Sequence, residues 1–207
     1  MNDRDLVRLY WPVELRPAFD ALFGIDDALA DVVTSSTQPA LGAIRLAWWR
    51  EALERLDASS PPPEPRLQAA ASELMPRGIS GRQLAALEDG WATLLDEIPE
   101  EDRVTKRGAT LFRLAARLLG GSDGNLDKAG GLFARAQVTR RGLMVPQGPP
   151  EEMESLSGCR FPRGLRPLTA FARLAARDTK QAPVIEPEAT PGRAAALLSH
   201  RLFGTIG

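Results

Sequence analysis

Apolar residues recur every three or four positions along most of the chain, and this spacing is the period of an amphipathic α-helix. The pattern predicts helices at about 14–33, 39–56 and 66–74. The last two are separated by SSPPPEP (59–65), which predicts a surface connection because prolines remove backbone donors and clash with a preceding helical turn.

Capping residues mark the helices that follow. Ser80 and Gln83 form a Ser-x-x-Gln capping box. The apolar stripe behind it predicts one continuous helix, with Leu84, Leu87, Trp91, Leu94 and Ile98 on its buried side. The segments 102–120 and 125–142 predict two more helices, the first ending at a Gly-Gly pair and the second capped by Asn125.

The segment 145–164 is rich in Pro, Gly and Ser and predicts a long loop, and helices at 167–178 and 191–204 close the chain. Alanine and leucine account for 59 residues, whereas valine and isoleucine, which favour strands, account for 14. The sequence therefore predicts an all-α fold: a helical bundle of about eight helices in one domain spanning residues 1–207.

Composition narrows the class of function. The 26 basic and 27 acidic residues leave a formal net charge of −1, so no global field favours nucleic acid. The single Cys159 excludes an intrachain disulfide, and with the single His200 it excludes Cys/His zinc patterns, while oxygen-coordinated metals stay open. Without an apolar signal-like N-terminus or a bilayer-length apolar stretch, we expect a cytoplasmic protein with no transmembrane segment.

The first long helix carries an acidic face. Asp27 and Asp31 are four residues apart, so their carboxylates lie one above the other and could share a Mg²⁺ ion that also binds a diphosphate. A helical wheel places both, with Asp20, almost opposite the apolar stripe. A solvated acidic face is therefore the alternative interpretation.

Asp26 differs from these, because the same wheel turns it toward the apolar side, where a carboxylate needs a partner. Arg45 lies within the apolar arc of the next helix and is the predicted partner, with anion binding as its alternative role. Trp48 and Trp49 are interpreted as core and flanking residues, or as a wall for an apolar ligand.

A later helix is Gly-rich and basic. Its Gly130-Gly131 pair permits close approach of a neighbouring helix, and Gln137 could hydrogen-bond a buried group. Its arginines, Arg135, Arg140 and Arg141, are interpreted as a solvated face. His200, in the last turn of its helix, is expected to place partial positive charge at the negative end of the helix dipole.

Three segments resemble the squalene/phytoene synthase family of the isoprenoid synthase superfamily: PALGAIRLAWWREAL (39–53), the Gly-rich helix ending in Thr139-Arg140-Arg141, and TPGRAAALLSHRLFG (190–204). The chain looks like a short, divergent, bacterial-type member. The resemblance implies helices around a cavity for prenyl chains. It also implies that active members join two prenyl diphosphates, using Mg²⁺ held by two aspartate-rich motifs.

Carried onto this chain, the resemblance gives candidate metal and diphosphate residues Asp26, Asp27, Asp31 and Arg45, and candidate cavity-wall residues Phe23, Trp48, Trp49 and Gln137. The metal-facing positions would fall near Ala30 and Thr34, so no catalytic residue and no metal ligand is assigned. In the second motif, Arg141 stands where the family has a metal-binding aspartate.

These departures predict a degenerate, non-catalytic protein with no cofactor, acting as a scaffold, assembly factor or apolar-ligand binder. Its partner would be a protein or a prenyl or other apolar ligand, with peripheral membrane contact as a further option. Two alternatives stay open: an active Mg²⁺-dependent prenyltransferase using Asp27, Asp31 and Arg45, and a metal-free isoprenoid carrier.

Overall fold

The computed structural model describes residues 2–145, 148, 150–182 and 184–207, and these form helices and turns with one isolated bridge, between Arg160 and Thr205. The helices are α1 (Asp3–Arg8), α2 (Arg16–Ser35), α3 (Pro39–Arg55), α4 (Pro65–Glu73), α5 (Gly81–Ala85), α6 (Glu88–Ala92), α7 (Glu101–Leu118), α8 (Leu126–Arg140), α9 (Glu151–Leu156), α10 (Arg166–Gln181) and α11 (Pro191–Phe203). The predicted all-α class is confirmed.

Local signals account for several helix ends. The capping box of Ser80 and Gln83 is present, and the Thr190 hydroxyl accepts a hydrogen bond from the Arg193 backbone N–H at the start of α11. Gly120 and Gly204, just beyond α7 and α11, adopt left-handed φ values of 66° and 77°. A residue with a side chain would be strained at either position.

Helices α7 and α8 cross with their backbones in close contact. A Cβ atom built on Gly108 would lie 2.0 Å from the Gly130 carbonyl oxygen, and one on Gly130 would lie 2.3 Å from the Gly108 carbonyl oxygen. The predicted close approach at Gly130 is therefore confirmed.

The predicted helix over 80–98 is wrong in one respect, because the segment breaks into α5, α6 and a 3₁₀ turn at Thr93–Leu95. Gly81 of α5 packs on the Leu53 carbonyl, while Gly90 of α6 packs on Arg103 and Arg107 of α7. Two different neighbours hold the two pieces. Ile98, placed in the buried stripe by the pattern, is 80% exposed.

The predicted loop 145–164 is also partly corrected, because it contains α9. Positions 146, 147 and 149 of that predicted loop lie outside the described residues. Among the residues that the structure does describe, no helix is long and apolar enough to cross a membrane.

Helix α3 does not bury the side that carries Arg45, which the helical pattern placed within its apolar arc. Its buried residues are Gly42, Leu46, Trp49, Ala52 and Leu53, while Leu41, Ile44 and Trp48 are exposed. Apolar residues surround this helix on most sides, so the pattern alone did not define one face. Arg45 therefore lies at the surface, where its Nη1 donates a hydrogen bond to the Ser35 hydroxyl over 3.2 Å.

Candidate functional site

A cavity of about 490 Å³ opens between the N-terminal segment and helices α2, α8, α10 and α11. This volume lies within the roughly 300–1,000 Å³ of small-molecule sites. Asn2 and Asp31 line it and are exposed, whereas Leu174 and Ala175 line it and are each 3% exposed. The cavity therefore has a polar, solvent-accessible mouth and a buried apolar floor.

Two helices present the same spacing of residues to this cavity. The residues are Phe133, Ala136, Gln137 and Arg140 from α8, and Phe171, Leu174, Ala175 and Asp178 from α10. Both sets follow the i, i+3, i+4, i+7 spacing of a single helical face. In both, the phenyl ring comes two turns before the charged group, so apolar and charged groups are segregated along the cavity.

The floor is built on a cluster of phenyl rings. The centroids of Phe133 and Phe171 are 5.2 Å apart, and Phe23, which is fully buried, lies 5.1 Å from Phe171. Phe19 lies 4.6 Å from Phe23 on the same helix. These buried neighbours fix the two rings that face the cavity, so the apolar surface is preformed.

Arginines engage both carboxylates of the predicted Asp27–Asp31 pair. Arg4 donates to both oxygens of Asp27, including Nη2 to Oδ1 over 2.8 Å, and Arg141 Nη2 lies 3.3 Å from the same Oδ1. Arg66 Nη2 donates to Asp31 Oδ2 over 2.9 Å. The acidic face is thus ion-paired, and only the Asp27 side chain, at 26% exposed, is largely covered, whereas those of Asp20 and Asp31 are 48% and 57% exposed, as expected of a solvated face.

A second group of charges closes one end of the cavity. Arg193 is 1% exposed and its guanidinium donates to the carboxylates of Asp3 and Asp178. Although burial opposes its charge, hydrogen bonds to the two carboxylates raise the pKa of Arg193 above its ordinary value. Arg140 adds a bond from Nη2 to Asp178 Oδ1 over 2.8 Å. The N-terminal helix is thereby tied to α8, α10 and α11.

Asp26 lies beneath the cavity and is fully buried, as predicted, but its partner is Arg107 and not Arg45. Arg107 Nη1 donates to Oδ1 over 2.5 Å, Trp91 Nε1 donates to the same atom over 2.8 Å, and Gln137 Nε2 lies 3.3 Å from Oδ2. Burial would raise the pKa of Asp26, but the charge of Arg107 and these hydrogen bonds outweigh it and lower the pKa.

Gln137 connects this buried cluster to the cavity. Its Oε1 accepts a hydrogen bond from Arg107 Nη2 over 2.8 Å while its side chain lines the cavity. The prediction that Gln137 bonds a buried group is confirmed. A single amide therefore contacts both the structural ion pair and the space where a ligand would lie.

The residues present do not fit the two-motif Mg²⁺ site that the family resemblance implies. Asp27 and Asp31 form ion pairs with arginines, and Asp26 is fully buried. The facing helix α8 lines the cavity with two arginines, Arg140 and Arg141, where the resemblance implies metal-binding carboxylates. Within the described ranges, no group of three or more His, Cys, Asp or Glu residues could hold a metal ion. Ala30 is fully buried, and the Thr34 hydroxyl donates to its carbonyl over 3.0 Å.

The other candidate residues lie in different surroundings. Among the candidate wall residues, Gln137 lines the cavity and Phe23 supports its floor, whereas Trp48 and Trp49 are not part of its lining. Trp49 is buried on α3 and Trp48 is 44% exposed, so the prediction of Trp48 as the core residue and Trp49 as its flank is reversed. Arg45, solvent-exposed on the same helix, does not line the cavity.

The predicted solvated arginine face on α8 is wrong, because its members are mostly covered and paired. Arg135 contacts Glu101, and the side chains of Arg135, Arg140 and Arg141 are 13%, 22% and 29% exposed. These arginines need counter-charges because they pack against neighbouring helices rather than project into water.

His200 also departs from its predicted role. It is 1% exposed, with Nε2 2.9 Å from the Thr169 hydroxyl and Nδ1 2.8 Å from the Thr205 carbonyl oxygen. Burial, with smaller contributions from Arg173 and Arg166, lowers its pKa to about 4. The imidazole is therefore neutral near pH 7 and supplies no charge to the helix dipole.

Sequence reasoning missed Arg107, Arg193 and Asp178. Each continues a buried stripe at helical spacing: Arg107 precedes Leu111 by four residues, and Arg193 precedes Leu197 by four. On a helical wheel these three residues fall within the apolar stripe, as Asp26 does, and that position is the signal that identifies them.

No family model, curated protein or solved structure matches this chain.

Proposed function

We propose that this chain is a non-catalytic, squalene/phytoene synthase-like protein that binds an apolar ligand in the cavity without a metal ion. One observation carries the proposal: a buried floor of phenyl and aliphatic groups lies behind carboxylates that arginines of the same chain already hold. An open cavity favours ligand binding over a purely scaffolding role.

The floor would hold the chain of the ligand. Phe133, Phe171 and Leu174 offer carbon surface, and removing such surface from water contributes about 25 cal/mol per Å² buried. The mouth would orient a polar end group, because its arginines carry more N–H donors than their carboxylate partners accept. Binding of this kind requires no change in the protonation of the lining residues and no bound cation.

The test is a thermal-shift and native mass-spectrometry titration with farnesol. We expect wild type to bind and Ala136→Trp to lose binding, because Ala136 lines the cavity and a large side chain there would fill it. Lys128→Trp places the same side chain on an exposed position of the same helix and should bind like wild type. Failure of wild type to bind, or unaltered binding by Ala136→Trp, would contradict the proposal.

The alternative is an active Mg²⁺-dependent prenyltransferase. It is favoured only by the placement of Asp27 and Asp31 together at the mouth of the cavity. It requires Mg²⁺-dependent release of diphosphate from farnesyl or geranylgeranyl diphosphate, and loss of that release in Asp27→Ala. Such turnover by the purified protein would replace our proposal with this one.

A further inference from the structure

The C-terminal end of α11 exposes apolar side chains. Leu198, Leu202 and Phe203 are 54%, 61% and 54% exposed, and Leu198 and Leu202 are one helical turn apart on the same face. We call these three residues the α11 tip. Large apolar side chains grouped in this way mark interaction surfaces on proteins.

The backbone around the α11 tip is held firmly. Arg166 Nη1 donates to the carbonyl oxygens of Arg201 and Leu202, both over 2.9 Å, which satisfies groups that a helix end leaves free. The Phe161 N–H donates to the Gly204 carbonyl over 2.9 Å. The tip residues are thus kept at the surface by the polar contacts of their own backbone.

Positive charge surrounds the tip. Arg160 and Arg163 belong to the segment that pairs with the end of α11, and Arg201 lies in its last turn, 4.9 Å from the Tyr10 ring centroid. All three are exposed, and none makes an ion pair within the part of the chain that the structure describes. The lowered pKa of Arg166, caused by burial and then by Arg163 and Arg160, also reflects this concentration of charge.

The charge is local and not a property of the whole chain. Residues 159–177 and 189–207 contain seven arginines and no aspartate or glutamate, which leaves 19 basic and 27 acidic residues elsewhere. Within these segments Arg177 and Arg193 are paired with acidic residues, and Arg173 donates to the Ile206 carbonyl. An apolar tip flanked by arginines that lack an ion pair in the described part of the chain complements an anionic, partly apolar surface.

We propose that the α11 tip, with Arg160, Arg163 and Arg201, docks this protein on an anionic lipid surface. Leu202 and Phe203 would enter the boundary between headgroups and acyl chains while the arginines contact lipid phosphates. The first turn of the same helix carries Arg193 at the cavity, roughly 14 Å from the tip along the helix axis. The inference concerns a surface separate from the cavity and does not depend on ligand binding there.

The test is co-sedimentation of the full chain with vesicles of phosphatidylcholine alone or of phosphatidylcholine mixed with phosphatidylglycerol. We expect binding only to the anionic vesicles and weaker binding as salt is raised. Leu202→Ser with Phe203→Ser should reduce binding about tenfold or more, because the apolar anchor is lost. Arg160→Gln with Arg163→Gln should reduce it roughly fivefold per arginine.

Two matched variants serve as controls. Leu41→Ser with Ile44→Ser removes side chains of similar exposure, 54% and 66%, from α3. Arg82→Gln with Arg117→Gln removes two exposed arginines without ion pairs in the described structure. Both should bind like wild type. The proposal is overturned if wild type ignores anionic vesicles, if a control weakens binding as much as a tip variant, or if the tip variants alter only self-association.

Discussion

Arg107 neutralises a carboxylate that has no access to water, so the Asp26–Arg107 pair should be the most sensitive polar contact in the bundle. Arg107→Met leaves Asp26 buried without a counter-charge and should lower the free energy of unfolding by about 3–5 kcal/mol. Urea unfolding measures this loss. Adding Asp26→Leu should recover most of it, since two apolar residues then replace the pair.

Arg113→Met is the matched control, because Arg113 pairs with Asp127 while both side chains are more than half exposed. Exposed pairs contribute only about 0–1 kcal/mol. Equal losses from the two arginine variants would mean that Asp26 is hydrated in solution.

His200 predicts a pH dependence of stability. Its pKa is about 4 when folded and 6.5 when unfolded, so the unfolded chain binds more protons between these values. Stability should therefore fall as the pH drops from 6.5 to 4, by about 3 kcal/mol in total. His200→Gln removes this contribution, and the difference between the two unfolding curves isolates it from the carboxylates. Curves that stay parallel between pH 7 and pH 5 would show that the imidazole is accessible to protons.

Single residues could be predicted where a helix has one clear apolar face. The prediction that Asp26 faces inward is confirmed, and it could be made because α2 is strongly amphipathic. Its partner could not be predicted, because α3 has apolar residues on several sides and Arg107 is 81 positions away in the chain. Pairing between distant helices depends on their packing, which the periodicity of one helix does not contain.

At the scale of helices, the α7–α8 crossing should tolerate no side chain at Gly130. Gly130→Ala forces a Cβ against the Gly108 backbone and should destabilise the protein by about 1–3 kcal/mol. Gly24→Ala, within α2 and with nothing within 4 Å of its new Cβ, should instead stabilise it by roughly 0.5–1 kcal/mol. Thermal unfolding of both variants measures the contrast, and stabilisation by Gly130→Ala would show that the two helices are further apart.

The positions of most helices could be predicted from the sequence, because prolines, glycines and capping residues determine where the backbone next to them starts or ends a helix. The break between α5 and α6 could not be predicted in this way, because it arises where Gly81 packs against α3 and Gly90 packs against α7. Local propensity favours a continuous helix there, and tertiary contacts override it.

Over the whole molecule, a nearly neutral net charge conceals an uneven distribution. Paired aspartates and arginines surround the cavity, and Arg193 contacts Asp3 and Asp178 there, while arginines without an ion pair among the described residues lie around the α11 tip. Composition could not predict this segregation, because it depends on which helices meet. The proposed ligand binding and the proposed surface docking therefore involve two separate regions of one bundle.

The most direct test of a metal-free cavity is isothermal titration of farnesyl diphosphate into the purified protein, once in EDTA and once in excess Mg²⁺. Because arginines already hold Asp27 and Asp31, we expect binding in EDTA, a Kd that is no tighter in Mg²⁺, and no diphosphate released. Binding that appears only with Mg²⁺, or tightens more than about tenfold with it, which is about 1.4 kcal/mol, would contradict a metal-free binding site.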